Sequence, residues 1–496
     1  MTSEPPGTEP PAAETPAVAA DRAGPLAGVR PSAVLPDTDG RAFASLRYAA
    51  TPRAERYALG QDLRHRVPRS ALAAWRPPDG RRDPVELIAE TNQGRLDWLI
   101  PVRIGRMLAT PYAFLRGAAA QMAEDFATLP ATGITPVICG DAHLGNFGFY
   151  ASPERELVFD LNDFDEAHPG AWEWDLRRLV TSVWVAGRQN GHTEEQCGSA
   201  VTRCVSAYQD QIRHLAEEPL LARSFERLDL GRLTETATEA SFRDEITRAA
   251  ARARRRTSDR ALPRFTEQAG GARSIVEEPP LITRLDHADR DRLAAALDDY
   301  LGTLPQQWAR ILAGYRVVDI AHKVVGVGSV GLRAYVALCE GSSPDDVVFL
   351  QLKQARRSVV AHLVHGGSAW HAHQGQRVVE YQQALQTVSD PLLGWTDAGG
   401  YQFYVRQFRD MKGAITVDGI DAAALADYAG ICGILLAKGH ARTSGASMIA
   451  GYLGHGPNAA KALTEFARLY ADQTESDYEA LTAAVERGVL PAERGI

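Results

Sequence analysis

The chain has 496 residues, 45% hydrophobic and 23% charged, with a formal net charge of −8. That is an ordinary globular composition, long enough for roughly two to four domains around a sizeable core. The acidic balance argues against a nucleic-acid partner. Five scattered cysteines (Cys139, Cys197, Cys204, Cys339, Cys432) without a C-x-x-C pair argue against a disulfide framework or a zinc site.

Residues 1–38 are rich in Pro, Ala, Glu, Thr and Gly and hold little apolar bulk. Such a segment cannot offset its ordering entropy, so a disordered tail is expected. The start, M-T-S-E-P-P-G, lacks the basic-then-apolar pattern of a secretory leader. No run reads as long and apolar enough to cross a membrane, so a reduced cytoplasm is the expected compartment. From about Ala54 the chain gains charge and periodicity. Helices are predicted over 86–97 and 112–127, the second on Phe114, Ala118, Met122 and Phe126 at spacing four. Arg103, Arg106 and Arg116 punctuate this region. They either face an anionic group or pair with local carboxylates.

V-I-C at 137–139 reads as the end of a buried strand, and Gly140 frees the backbone to turn. Asp141 and Asn146 then sit five apart in a loop that also holds His143. A second apolar run, Leu157 to Phe159, ends on Asp160. A hairpin of the two runs would deliver Asp141 and Asp160 at strand ends, where a rigid sheet displays site residues. Asp163, Asp165 and Glu166 follow. They point to a cationic substrate, or equally to the surroundings of a metal or to loop caps. Trp172, Leu176, Leu179, Val180, Val183 and Trp184 form a helical apolar face, and more helix runs to about Ala251. Residues 39–250 are therefore expected to form a helical lobe carrying the acidic loop. Residues 251–312 form a linker that opens on the basic run at 250–264. Gly270-Gly271 and Pro279-Pro280 punctuate it, and it closes with a helix at about 286–313.

Residues 313–412 change character to β-rich. V-V-D-I-A-H-K reads as a strand, then come Gly326, Gly328, Ser329 and Gly331. L-R-A-Y-V-A-L is a second strand, and V-V-F-L-Q-L-K a third, ending at Lys353. A dinucleotide fold would need a helix after the glycines. Here the period of two continues on both sides. A glycine loop between two strands with a lysine on the next is the nucleotide arrangement of kinases. Glycines let backbone N–H groups approach phosphates without a Cβ in the way. A helix at 375–388 carries one carboxylate, Glu380, either the partner of Lys353 or a solvent-facing side chain. A strand then runs to the stretch from Arg406 to Phe408; a resemblance to a kinase lobe implies a hinge there, whose backbone, with Gln407, would meet an adenine edge. Residues 413–496 are read as helices that dock on the first lobe.

The segment from Val137 to Trp174 resembles the catalytic stretch of the aminoglycoside phosphotransferase and choline kinase group of the protein-kinase-like superfamily. The resemblance implies an α+β, two-lobed fold using ATP and Mg2+. It implies Asp141 as catalytic base with His143 in the same loop, Asn146 and Asp160 as magnesium ligands, and Asp163 as an alternative ligand. It implies Asp175 as the brace of the catalytic loop. Cys139 stands where that group has histidine. The order is inverted, because Asp141 precedes the glycine loop. A circular permutation accounts for this, with the helix ending near His440 lying beside the strand at Val137 without a covalent link. F-L-R-G, C-G-D-A-H, V-G-V-G-S-V-G and R-Q-F-R-D-M-K also resemble the bacterial domain-of-unknown-function 2252 family, a likeness that carries no activity with it. The expected function is phosphorylation of a small-molecule hydroxyl. The alternatives are a nucleotide-binding regulator without catalysis, and protein phosphorylation or AMP transfer on the same fold.

Overall fold

A six-stranded antiparallel sheet and a large helical body, joined along one cleft, make an α+β fold. The computed structural model describes residues 50–269, 272–365, 371–443 and 445–495. The tail expected over 1–38 and the glycine pair Gly270-Gly271 lie outside them.

The strands in chain order are β1 (Val137–Ile138), β2 (Phe147–Ala151), β3 (Leu157–Leu161), β4 (His168–Pro169), β5 (Thr266–Ala269) and β6 (Ala272–Ile275). They continue with β7 (Ile282–Arg284), β8 (Arg316–Lys323), β9 (Ala334–Glu340), β10 (Val347–Gln354), β11 (Gly394–Ala398) and β12 (Tyr401–Gln407). The large sheet runs β11-β12-β10-β9-β8-β7. The helix Gln374–Leu385 is inserted between β10 and β11. Period-two alternation divides the sheet. Ala337, Leu350, Leu352 and Val405 pack with Leu293, Leu297 and Tyr300 of the helix His287–Leu301. On the opposite face Val336, Leu338 and Phe349 pack with Ile275 and Ile282. Lys353 shares the parity of Phe349, so it leaves the sheet on that second face.

The helical body holds the largest core, in which Trp172, Leu176, Val180 and Val183 of the helix Trp172–Gln189 meet Tyr208, Leu435 and Phe466. Its neighbour Glu194–Glu217 starts from a capping box, Thr193 with Gln196. Ala422–Thr443 has the length and hydropathy of a membrane span. However, 78% of that apolar window is buried within the fold, as befits a core helix.

Several expected boundaries shift. The helix predicted over 86–97 is Pro84–Thr91, and the one over 112–127 is broken into Pro111–Gly117 and Ala119–Ala127. Ala118 leaves helical geometry at the join (φ −108°, ψ 30°). The break frees the Gly117 carbonyl, which accepts from Arg103. The stretch 286–313 is two helices, His287–Leu301 and Gln306–Leu312. The two apolar runs around the acidic loop do not pair with each other. β1 pairs with β4, and β2 pairs with β3.

Candidate functional site

The floor of the cleft is the loop between β1 and β2. Gly140 turns it at φ +75°, and a Cβ there would lie 2.3 Å from the Glu166 carbonyl oxygen. Only glycine fits. The two oxygens of Asp175 accept the Cys139 and Gly140 amides at 2.6 and 2.8 Å, so the expected brace is made. Cys139 donates its Sγ–H to the Asp163 carbonyl at 3.2 Å, tying the loop to the next acidic segment. His440 Nε2 stands 3.3 Å from Asp175, and Val137 N–H donates to Thr443 at 3.1 Å. The helix Ala422–Thr443 thus ends against β1 across a wide gap in sequence.

Asp141 lines the cleft and is ion-paired with Arg178. Burial pushes its carboxyl up to about 7 against the pull of Arg178, and Asp163 and Glu166 add to the rise. His143 Nδ1 accepts the Gly145 amide at 3.1 Å, and its Nε2 is 3.9 Å from Asp141. Burial, with Arg116 and Arg178 nearby, holds this imidazole neutral. Asn146 spends its Nδ2 on the Asp141 carbonyl at 2.7 Å, which leaves the carboxamide oxygen for another partner.

The roof is the loop from Gly326 to Leu332, between β8 and β9. Gly326 and Gly331 adopt φ +64° and +86°, which favour glycine. Gly326, Gly328 and Ser329 line the same cavity as Asp141, His143, Asn146 and Asp163. Arg106 donates to the Gly326 carbonyl, Arg95 to that of Val330, and the Leu96 amide to that of Gly331 at 2.8 Å. Behind the loop, Lys353 of β10 does not itself line the cavity; it is ion-paired with Asp165, which does. Tyr404, opposite Lys353 on β12, donates its hydroxyl to the same carboxylate at 3.0 Å. Burial lowers the Lys353 ammonium, but Asp163 and Asp165 outweigh it and hold it charged. Burial also raises Asp163, helped by the charge on Asp165. An adjoining cavity shares Arg116, Asn146 and Asp163, and is lined further by Phe149, Arg406, Asp410 and Lys412.

Three expectations are corrected. Asp160 is not at a strand end. It sits within the β2–β3 ladder opposite Gly148, is fully buried, and is ion-paired with Lys438. It lines neither cavity, whereas Asp163 lines both. Glu380 does not reach Lys353, because its oxygens bond His371 at 3.0 Å and Gln376 at 2.7 Å. The hinge amides expected to meet adenine are already used. Gln407 N–H donates to Asp390 at 2.6 Å and Phe408 N–H to the Phe349 carbonyl at 2.8 Å. Arg406 does face the adjoining cavity, and its Nε donates to Gln351 at 3.1 Å.

A family profile described as an uncharacterized protein conserved in bacteria, DUF2252, matches residues 95–484. The chain belongs to the DUF2252 family. No curated protein and no solved structure is significantly similar to it. The match to DUF2252 spans both walls of the cleft, from Arg95 into the final helix Asn458–Glu486.

Sequence reasoning missed the working partners in this DUF2252 chain. Asp165 was one of a run of acidic residues with no signal to single it out. Lys438 lies in a helix that reads as apolar. Arg377 is fully buried and holds the acidic segment in place by donating to the carbonyls of Ala167 at 2.6 Å and Asp165 at 2.7 Å. Glu166 faces the cavity, but one of its oxygens accepts the Val359 amide at 2.7 Å. Among the described residues no three His, Cys, Asp or Glu side chains form a metal cage. Magnesium seldom needs one, being held by one or two carboxylates with water and substrate phosphates. Asp163 and the Asn146 carboxamide oxygen are hard oxygen donors on one wall and fit that requirement.

Proposed function

We propose that the cleft is the site of an ATP- and magnesium-dependent phosphotransferase acting on a hydroxyl group of a small molecule. One observation carries the reading. The acidic loop and the glycine loop, far apart in sequence, line a single cavity, with Lys353 on the strand two after the glycine loop's entry. The likeness to the protein-kinase-like superfamily adds to it: a meander with glycines between its first two strands, a lysine on the third, and then a helix. The position of the helix Ala422–Thr443 against β1 is what a circularly permuted chain requires.

In this reading Asp141 receives the proton of the acceptor hydroxyl. A carboxyl tuned to about 7 is well matched to that task at neutral pH. Arg178 and the Asn146 contact fix the orientation of its loop. Lys353 and the glycine-loop amides hold phosphate oxygens. Asp163 and Asn146 would hold magnesium, which neutralises charge on the transferred group. Asp160 serves the fold instead, as the buried counter-ion of Lys438.

The test is an ATP-consumption screen of the purified protein against hydroxylated metabolites, with Asp163→Ala as control and mass spectrometry of the product. A gain of one phosphate on the acceptor, lost in the control, is expected. ATP binding with no turnover on any acceptor would favour a regulator instead. A gain of AMP would replace phosphotransfer by nucleotidyl transfer.

A further inference from the structure

The cavity that holds Asp141 is also lined by Arg95, Arg103, Arg116 and Arg356. Among the described residues no carboxylate lies within ion-pair distance of these four guanidiniums. Their contacts are to carbonyls and one amide. Arg95 donates to the Thr91 and Val330 carbonyls, Arg356 to the Thr91 carbonyl, and Arg103 to Asn92 and the Gly117 carbonyl. Arg103 is 1% exposed, and its Nε, like that of Arg116, is buried with no partner.

The carboxylates around the same cavity, Asp141, Asp163, Asp165 and Glu166, compensate only in part: Asp165 and Glu166 raise Arg95, but not enough to offset its burial. Asp141 is taken by Arg178, Asp165 by Lys353, and Glu166 accepts from the Val359 amide. The arginines also repel one another. Arg95 and Arg103 are both lowered, chiefly by burial, and each is further lowered by the neighbouring Arg356. Guanidiniums gathered in a cleft without a paired counter-ion are costly unless a ligand supplies the opposite charge. Guanidinium forks match phosphate and carboxylate oxygens.

We infer that this arginine-lined part of the cleft binds an anionic group, and that the acceptor substrate carries a phosphate or carboxylate beside the hydroxyl it presents to Asp141. The assignment to the acceptor rests on the phosphotransferase reading. Its ground is that Asp141 and His143 line this cavity and not the adjoining one; the glycine loop lines it too, so the nucleotide's own phosphates are the competing occupant that the test separates. It replaces the expectation of a cationic substrate drawn from Asp163, Asp165 and Glu166. Those carboxylates are engaged by Lys353 or the backbone, or stand where a metal would.

Titration calorimetry of the full chain with inorganic phosphate and with glycerol 3-phosphate tests this, with sodium chloride at matched ionic strength as control. Each titration is run with and without saturating MgATP. Both phosphate probes are expected to bind the free and the MgATP-saturated protein. Arg356→Gln and Arg103→Met should each weaken that binding about tenfold or more while MgATP affinity holds. Arg356 is partly exposed, so its variant reports on the site even if the buried Arg103 variant fails to fold. Mutual exclusion of phosphate and MgATP would assign the arginines to the nucleotide and overturn the inference. Binding no stronger than chloride would also overturn it. Arginine-dependent phosphate binding in a protein that does not bind MgATP would sustain the anion site and sink the phosphotransferase reading instead.

Discussion

Lys353 and Asp165, 188 residues apart in the chain, are ion-paired where the sheet meets the helical body. The lysine side chain is 4% exposed and the carboxylate 23%, so removing one charge strands the other in poor solvent. Lys353→Met is expected to lower the unfolding free energy by about 3–5 kcal/mol and to abolish MgATP binding. Urea denaturation and calorimetry read the two effects. Glu380→Gln should leave MgATP affinity unchanged, since Glu380 bonds His371 and Gln376. A large loss of affinity in that variant would restore Glu380 as the lysine's partner.

The second buried pair, Lys438 with Asp160, predicts a purely structural defect. Both side chains are at most 3% exposed. Lys438→Met should cost about 3–5 kcal/mol by leaving Asp160 charged and unpaired. The double variant Lys438→Met with Asp160→Leu should recover most of that loss. If Asp160→Leu in the double variant also eliminates metal-dependent turnover in a folded protein, Asp160 belongs to the site after all.

The pH dependence of rate and stability should run in opposite directions. The Asp141 carboxyl ionises near 3.8 when exposed and at about 7 in the folded protein, where burial favours the neutral form. The folded state therefore holds a proton that the unfolded state releases across this interval. The stability contributed by this proton is present below about pH 4 and is lost as the pH rises to about 7. A base must be ionised, so kcat/KM should climb through the same interval and level off above about 7. Asp141→Asn should remove the limb and cost about two to four orders of magnitude in rate. His143 is already neutral, so His143→Ala should lower the rate while the limb stays in place. A limb that moves with His143 would refute this assignment.

Asp175 predicts a defect in loop geometry. Its carboxylate accepts two backbone amides of the acidic loop, and Cys139 is fully buried. Asp175→Ala leaves those donors unpaired, at about 1–3 kcal/mol each. The expected signature is a fall in kcat with little change in MgATP affinity. An equal loss of both would mean that the residue supports the whole cleft.

The local patterns were legible where chemistry and periodicity coincide. The glycines between two strands, Lys353 at the end of a third and the loop from Asp141 to Asn146 all declare themselves by spacing. What the sequence hid is the choice of counter-ion. An apolar run ending on Asp160 looks like a strand end, yet the β2–β3 ladder runs on to Leu161 opposite Phe147, which puts Asp160 inside it. Lys438 is one charge in a helix otherwise built for the core. Glu380 had the right type and helix, but its direction depends on His371 and Gln376. The arginine cluster was half legible: Arg103 and Arg116 stand out near one another in the chain, whereas Arg95 and Arg356 join them only when both lobes are folded.

The contact of Val137 with Thr443 spans 306 residues. A ribosome making this protein has released every acidic group of the cleft long before it reaches Lys438 and His440. Until then Asp160 lacks its counter-ion and Asp175 its imidazole. Chains that terminate early would carry the whole acidic segment yet be unable to assemble it, so the cleft can be completed only near the end of translation.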